Sequence, residues 1–140
     1  MEQKQLIKII KDNIIKKQQK ILESNKILIE EFDSLINQIT SDITQVNIDL
    51  LKKYLEYINK DKVDYDVNKD IKIFQAIQLI KANNPNLSNM YKLTQEQENY
   101  LQSIINNLNR QKNIEISKKE DNQKLSMQIE YISSNLLNTI

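Results

Sequence analysis

The sequence has no glycine, no cysteine and no histidine, and its single proline is Pro85. Turns with positive φ usually require glycine, and short hairpin loops favour Asn-Gly or Asp-Gly, so a β-rich fold is not expected. Without cysteine or histidine the chain has no disulfide, no thiolate nucleophile, no Cys/His zinc site and no imidazole for acid–base catalysis. These absences favour long helices joined by few connections.

The sequence also lacks an excess of one charge, because 20 basic residues face 19 acidic ones and the net charge is +1. The exception is residues 1–20, where six lysines face only Glu2 and Asp12, which gives a local charge of +4. Nucleic-acid binders usually show a basic excess or patch. We interpret these lysines as a solvated helix face and keep a phosphate-binding or membrane-binding face as the alternative. Nucleic acid and membrane are therefore not the expected partners.

Long apolar runs are absent as well. The first apolar stretch, residues 6–15, is interrupted by Lys8, Lys11 and Asp12, which argues against a signal peptide. No uncharged apolar stretch approaches the roughly 20 residues that cross a bilayer. Together with the lack of cysteine, this pattern predicts a cytoplasmic protein.

The most regular feature present is an apolar heptad pattern in residues 29–50. Its members recur in alternating steps of three and four and are Ile29, Phe32, Ile36, Ile39, Ile43, Val46 and Leu50. Such a seam indicates a helix that lies along another helix. A second series begins ahead of it in strict steps of seven, formed by Ile7, Ile14, Ile21, Leu28 and Leu35.

Residues 1–60 are predicted to form one long helix, or two helices nearly in line, because no proline or glycine interrupts them. A kink is expected near residue 40, where Thr40, Ser41 and Asp42 can compete for backbone hydrogen bonds. Ser41 or Asp42 is a candidate cap for a second helix.

Residues 59–70 form a break rich in aspartate, which we interpret as a solvated linker and not as a calcium loop, since the loop's glycine and terminal glutamate are missing. Asp66 or Asn68 is the candidate cap of the next helix. That helix, about residues 70–83, is apolar on most sides and is predicted to be buried. Pro85 stops it, and residues 87–93 are expected to form a loop with Met90 and Tyr91 docked on the bundle.

A final helix is predicted over residues 95–139, opened by a capping box of Thr94 and Gln97. Its seam is apolar at both ends and polar between, and the polar members are Gln111, Glu115, Lys118 and Asn122. This interval is either a solvated stretch beyond the partner helix, a bend, or a buried polar layer that fixes register. We favour the solvated stretch.

The predicted fold is therefore all-α: a single elongated domain over residues 1–140, built as an antiparallel helical bundle or coiled-coil hairpin. It has two long helices, about 1–60 and 95–139, and one short buried helix, about 70–83. No catalytic, cofactor-binding or metal site is predicted. The carboxylates Glu30, Glu31 and Asp33 lack the Glu-x-x-His pairs of a di-iron bundle, and a phosphate loop requires glycine. The six tyrosines are interpreted as core-edge packing and not as base-stacking groups.

Residues 119–140, KEDNQKLSMQIEYISSNLLNTI, resemble the closing helix of the FlgN family of flagellar export chaperones, with Tyr131 and Ile132 as the Tyr-Ile-like pair. The chain length, the long antiparallel helices and the lack of an active site also agree with that family. The resemblance implies a cytosolic chaperone whose final helix holds the terminal helix of a filament-junction protein before export.

Three functional hypotheses follow from an apolar seam without site chemistry. The first is a non-catalytic assembly or export chaperone, or adaptor, that binds a partner helix of another protein. The second is a structural subunit of a phage particle or secretion machine that forms homo-oligomers through the 29–50 seam. The third is a nucleic-acid or membrane-surface binder that uses the N-terminal lysines. The predicted partner-binding residues are Leu125, Ile129, Ile132, Leu136, Ile29, Phe32, Ile36, Ile39 and Ile43.

Overall fold

A computed structural model describes residues 2–83 and 93–139, and within these ranges the chain is all-α with no strand. The helices are α1 (Glu2–Ser41), α2 (Ile48–Ile58), α3 (Val67–Asn83) and α4 (Gln95–Thr139), with one 3-10 turn at Ile43–Gln45. The all-α class and the antiparallel packing of the first and last helices are confirmed. The stop expected at Pro85, and the docked loop with Met90 and Tyr91, lie outside the described residues.

The chain divides into two compact units. The terminal unit consists of Met1–Glu30 and Asn113–Ile140, and the central unit is Glu31–Lys112. In the terminal unit the first part of α1 packs antiparallel to the last part of α4. In the central unit the end of α1 packs against the start of α4, with the Lys112 ammonium paired to the Asp33 carboxylate.

The connection between α1 and α2 is a reversal of direction. The Thr40 hydroxyl donates back to the Ile36 carbonyl at 2.9 Å, and α1 ends one residue later. After the break α2 runs back along α1, because the Tyr54 ring centroid lies 4.4 Å from that of Phe32. The sequence predicts one helix or two nearly collinear helices here. The break falls close to the predicted kink, but the chain turns fully and the two helices are not in line.

Short polar side chains make this reversal possible. The Asp42 carboxylate accepts from the Thr44 amide at 3.0 Å and caps the 3-10 turn. The Asn47 side chain accepts from the Leu50 amide at 3.1 Å and caps α2. The cap of α2 is therefore Asn47, while the predicted Asp42 caps the turn that precedes it.

The starts of α3 and α4 agree with the caps predicted from the sequence. One Asp66 carboxylate oxygen accepts from the Asn68 amide at 3.1 Å at the start of α3. At α4 the Gln97 amide donates to the Thr94 hydroxyl at 3.2 Å, and the Thr94 amide donates to the Gln97 side chain at 3.0 Å. This reciprocal pair is the predicted capping box.

Helix α3 was predicted to be buried on nearly all sides, but it is amphipathic and buries only one side. Ile71, Phe74 and Ile77 are buried, whereas Ile73 and Leu79 are 37% and 62% exposed. The reason is geometric: one side of α3 covers the central unit, and the unit has no further described helix to cover its other side.

The central unit contains the whole apolar core of the described residues. Its buried apolar side chains are Phe32, Leu35, Ile36, Ile39, Ile43, Val46, Leu51, Tyr54, Leu55, Ile71, Phe74, Ile77, Ile104 and Leu108. Helices α1, α2, α3 and α4 all contribute to this list, so the heptad seam of α1 is covered by helices of the same chain.

Candidate partner-binding groove

The terminal unit is held together by polar side chains. Gln18, Asn25 and Glu115 are buried between its two helices, with 5%, 7% and 2% exposure. The Asn25 amide donates to the Glu115 carboxylate at 2.9 Å, and the Gln18 amide donates to the Asn122 side-chain oxygen at 3.0 Å and to its backbone carbonyl at 2.8 Å. Buried polar groups are tolerated only when paired in this way.

These bonds correct the interpretation of the polar interval in α4 as a solvated stretch. Glu115 and Asn122 form a buried polar layer, the third of the three alternatives, because Asn25 and Gln18 of α1 lie directly opposite them. Lys118 is exposed along most of its length, yet its ammonium reaches back to the Glu115 carboxylate at 3.3 Å. Each carboxylate oxygen of Glu115 therefore has a partner.

Since the seam is polar, many large apolar side chains of the terminal unit lie outside it. Those on one face of the two helices are Leu6, Ile10, Ile14, Ile21, Leu125, Ile132 and Leu136, each between 39% and 58% exposed. Together they leave on the order of 600 Å² of surface, at the top of the range for the largest apolar patch of a monomer, about 300–600 Å². We call this set the apolar stripe.

A concave groove runs along the apolar stripe between α1 and α4. It encloses about 320 Å³ and is lined by Ile7, Ile10, Lys11, Ile14, Ile129, Ile132, Ser133 and Leu136. The lining residues recur at helical spacing on each helix, so each helix presents a single face to the groove. A side chain from a third helix would find apolar contacts on both walls.

One charge lies in this apolar lining. Lys11 is half-buried in the groove. Among residues 2–83 and 93–139 no carboxylate lies within ion-pair distance of its ammonium, since the ion pairs found there are Lys53–Glu31, Lys112–Asp33 and Lys118–Glu115. A lysine without an ion-pair partner among the described residues therefore forms part of a mostly apolar lining.

The structure brings four of the nine predicted partner-binding residues to this groove or its edge. Ile129, Ile132 and Leu136 line it, and Leu125 continues the apolar stripe. The opposite wall, from α1, was not predicted as a site. Its signal in the sequence is the series in steps of seven that includes Ile7 and Ile14.

The remaining five predicted residues do not form a free surface. Phe32, Ile36, Ile39 and Ile43 are 0%, 8%, 6% and 3% exposed in the core of the central unit, and Ile29 is half-buried in the terminal unit. The prediction of a partner surface along this seam is therefore corrected: the partner of the seam is the rest of the same chain.

The central unit also contains a small polar cluster outside its core. The Tyr65 hydroxyl donates to the Asp70 carboxylate, and the Tyr100 hydroxyl donates to the Asp70 backbone carbonyl at 2.9 Å. Burial, and then the contact with Asp70, raises the pKa of Tyr65 and of Tyr100 well above the ordinary value of 10.0. Both hydroxyls are therefore neutral hydrogen-bond donors that join α3 to α4 and to the loop before α3.

Within the described ranges no cluster of acidic side chains has a geometry suited to a metal ion. Two of the aspartates of residues 59–70 accept hydrogen bonds within the chain, since Asp66 caps α3 and Asp70 accepts from the Tyr65 hydroxyl. Nor does any described helix combine the length and apolar character that crossing a bilayer requires.

Comparison with known proteins adds no relative. No family model matches the chain, and no curated protein or solved structure matches it either.

Proposed function

We propose that this chain is a non-catalytic helix-binding module, an assembly or export chaperone or adaptor, whose terminal-unit groove holds an amphipathic helix of another protein. The observation that carries the proposal is the inverted arrangement of the terminal unit, with polar groups buried between its helices and large apolar groups outside. Grooves between helices with apolar walls are a recurrent site for amphipathic helices, which insert side chains at i, i+3, i+4 and i+7.

The resemblance of residues 119–140 to FlgN-type chaperones supplies one specific version of the proposal. Tyr131 and Ile132 belong to that segment, and Ile132 lines the groove. In this version the bound segment is the terminal helix of a filament-junction protein, held in the cytoplasm before export.

The structural-subunit hypothesis loses its proposed contact. It requires self-association through the 29–50 seam, and Phe32, Ile36 and Ile39 of that seam are covered within the central unit. The groove, in contrast, is an apolar surface that the described part of the chain leaves uncovered.

The test is co-purification from the native host with matched double variants. Ile14→Lys with Ile132→Lys places two charges in the groove, whereas Ile27→Lys with Met127→Lys places two on exposed positions of the same helices that do not line it. We expect wild type and the second variant to retain one stoichiometric protein that the groove variant loses. Crosslinks from position 132 should map to an amphipathic helix of that protein, identified by mass spectrometry.

Two results would contradict the proposal. One is a wild-type monomer that retains no stoichiometric protein from its host. The other is a partner that both double variants lose, or keep, to the same extent.

A further inference from the structure

The unpaired Lys11 indicates what kind of helix the groove accepts. Its neighbours in the lining are isoleucines, one leucine and Ser133, and no described carboxylate pairs with its ammonium. An ammonium that becomes enclosed by a partner's apolar face must gain a counter-charge, because an unpaired buried charge is strongly disfavoured. An occupant that covers the groove therefore needs a carboxylate at this position.

The length of the apolar stripe indicates how long an occupying helix would be. The α1 part runs from Leu6 to Ile21, which is roughly 22 Å at 1.5 Å per residue, and the α4 part from Leu125 to Leu136 is roughly 17 Å. An occupant of three to four turns covers this length. Its apolar side chains at helical spacing would fit between the two walls.

A second copy of the chain is a poor occupant because of charge. The face that carries the groove has Lys11 in its lining and Lys17 at a helical position beside it, whereas Lys118, next to the same face, already pairs with Glu115. Asp121 is the acidic residue nearest to that face by helical position. Two such faces in contact would bring lysines together without enough carboxylates to balance them.

A membrane surface fits the groove less well than a helix does. Membrane-binding helices present a convex apolar face with lysines at its edges. Here the apolar walls are concave around about 320 Å³, and a lysine lies within the lining and not only at the edge. A flat lipid surface would leave that space unfilled.

We propose that the groove of the terminal unit selects an acidic amphipathic helix of another protein, about three to four turns long, through an ion pair between Lys11 and a carboxylate beside the partner's apolar face. The inference rests on the proposed function and adds the chemistry of the partner. Lys11 supplies the charge selectivity, and the isoleucine and leucine walls supply the apolar contact.

The experiment uses the full chain and three synthetic peptides of 16 residues that share one apolar face. They carry Glu, Gln or Lys at the positions that flank this face, one in each turn, and binding is measured by fluorescence anisotropy at low salt. We expect the Glu peptide to bind wild type more tightly than the Gln peptide by about three- to tenfold in Kd, with the Lys peptide weakest. Raising the salt concentration should reduce the difference in Kd between the Glu and Gln peptides, because salt screens the charges.

Charge reversal supplies the matched control. Lys11→Glu should weaken the Glu peptide by about three- to tenfold and strengthen the Lys peptide, whereas Lys20→Glu makes the same change in net charge on the opposite side of α1 and should alter neither by more than about twofold. Circular dichroism of both variants checks that they fold alike.

The outcomes separate the two proposals. If the Glu and Gln peptides bind equally, or if Lys11→Glu has no more effect than Lys20→Glu, the acidic selectivity is wrong while helix binding stands. If no peptide binds, or if Ile14→Lys with Ile132→Lys leaves binding unchanged, the helix-binding function itself is wrong.

Two further measurements address the other occupants. A concentration-dependent dimer that Ile132→Lys abolishes, seen by light scattering, would overturn the proposal in favour of a second copy. Tighter binding to phosphatidylglycerol vesicles than to any of the peptides would overturn it in favour of a membrane.

Discussion

The two units of this chain use the same two helices in opposite ways. In the central unit, α1 and α4 bury isoleucine, leucine and phenylalanine, with Phe32, Leu35 and Leu108 at 0% exposure. In the terminal unit, the same helices bury Asn25 and Glu115 and leave most of their large apolar residues outside. The comparison shows that helical periodicity alone does not determine what a helix buries, because the seam position can be occupied by either class of side chain.

The difference also separates stability from recognition. A core that is apolar and covered contributes to folding, whereas an apolar surface left uncovered is available to a partner. We therefore expect the central unit to supply most of the free energy of unfolding and the terminal unit to supply the binding surface. The four predictions below test this division, in order of decreasing effect.

The largest effect should come from truncating a core leucine of the central unit. Leu35→Ala removes a fully buried side chain of α1 and should lower the free energy of unfolding by about 2–5 kcal/mol, through lost burial and the cavity left behind. Leu6→Ala, on the same helix but 58% exposed, should change it by about 0.5 kcal/mol or less. Urea denaturation followed by circular dichroism measures both changes. Equal losses of unfolding free energy in the two variants would contradict the expectation that the central unit supplies most of the stability.

An intermediate effect should come from the polar layer of the terminal unit. Glu115→Ala leaves the Asn25 amide buried without its acceptor and should cost about 1–3 kcal/mol. Replacing both residues with leucine should be neutral, or stabilising by about 1–4 kcal/mol, since neither member of the buried pair is then left without the other.

Hydrogen exchange of the backbone amides in residues 15–30 gives the local measurement, with Glu120→Ala as the control on an exposed position of α4. A double leucine variant that is less stable than Glu115→Ala alone would show that the polar layer contributes more than paired burial.

A smaller effect should appear at alkaline pH and only in the central unit. Because the pKa of Tyr65 and of Tyr100 is raised in the folded chain, the folded state holds these protons more tightly than the unfolded state does. The stabilisation is therefore complete below the ordinary value of 10.0 and declines as the pH rises above it.

Denaturation at about pH 8 and about pH 11 measures the decline. The variant with Tyr65→Phe and Tyr100→Phe should lose less stability between these two conditions than wild type, whereas Tyr131→Phe, 70% exposed in the terminal unit, should behave as wild type. If the double variant lost as much stability between the two pH values as wild type does, the two hydroxyls would not be the cause of the pH dependence.

The smallest effect should come from Tyr54→Phe. The Tyr54 hydroxyl is buried and has no hydrogen-bond partner among the described residues, so removing it should leave the free energy of unfolding unchanged or raise it by about 0.5 kcal/mol. Tyr100→Phe, which removes a bond to the Asp70 carbonyl, should cost about 1 kcal/mol at neutral pH. A comparable loss in both variants would mean that the Tyr54 hydroxyl has a stabilising contact.

Local features of the fold were predictable from the sequence. The lack of glycine and the heptad spacing indicated long helices. The cap residues Asp66 and Thr94 lie two and three residues from the backbone amides that they bind. Such contacts depend on neighbours along the chain, which a sequence shows directly.

The features that were not predicted depend on distant residues. Glu115 is buried because Asn25, 90 positions away, supplies its donor, and no local pattern reveals that pairing. The seam containing Phe32 and Ile36 was recognised, but the sequence does not show that α2 folds back to cover it. For the same reason the sequence identified one wall of the groove, at Ile132 and Leu136, without the α1 wall that faces it.

The hydrogen bonds from Gln18 to Asn122 and from Asn25 to Glu115 fix the register between α1 and α4 in the terminal unit. If one helix slid along the other by a heptad, Gln18 would meet Glu115 or Ile129 instead, and at least one amide would lose its acceptor. Alignment is thus set by residues that do not line the groove. Under the proposed function, mutations at Ile10, Ile14 or Ile132 would change which partner helices the groove binds while α1 and α4 keep their alignment, so partner preference and helix alignment could change independently.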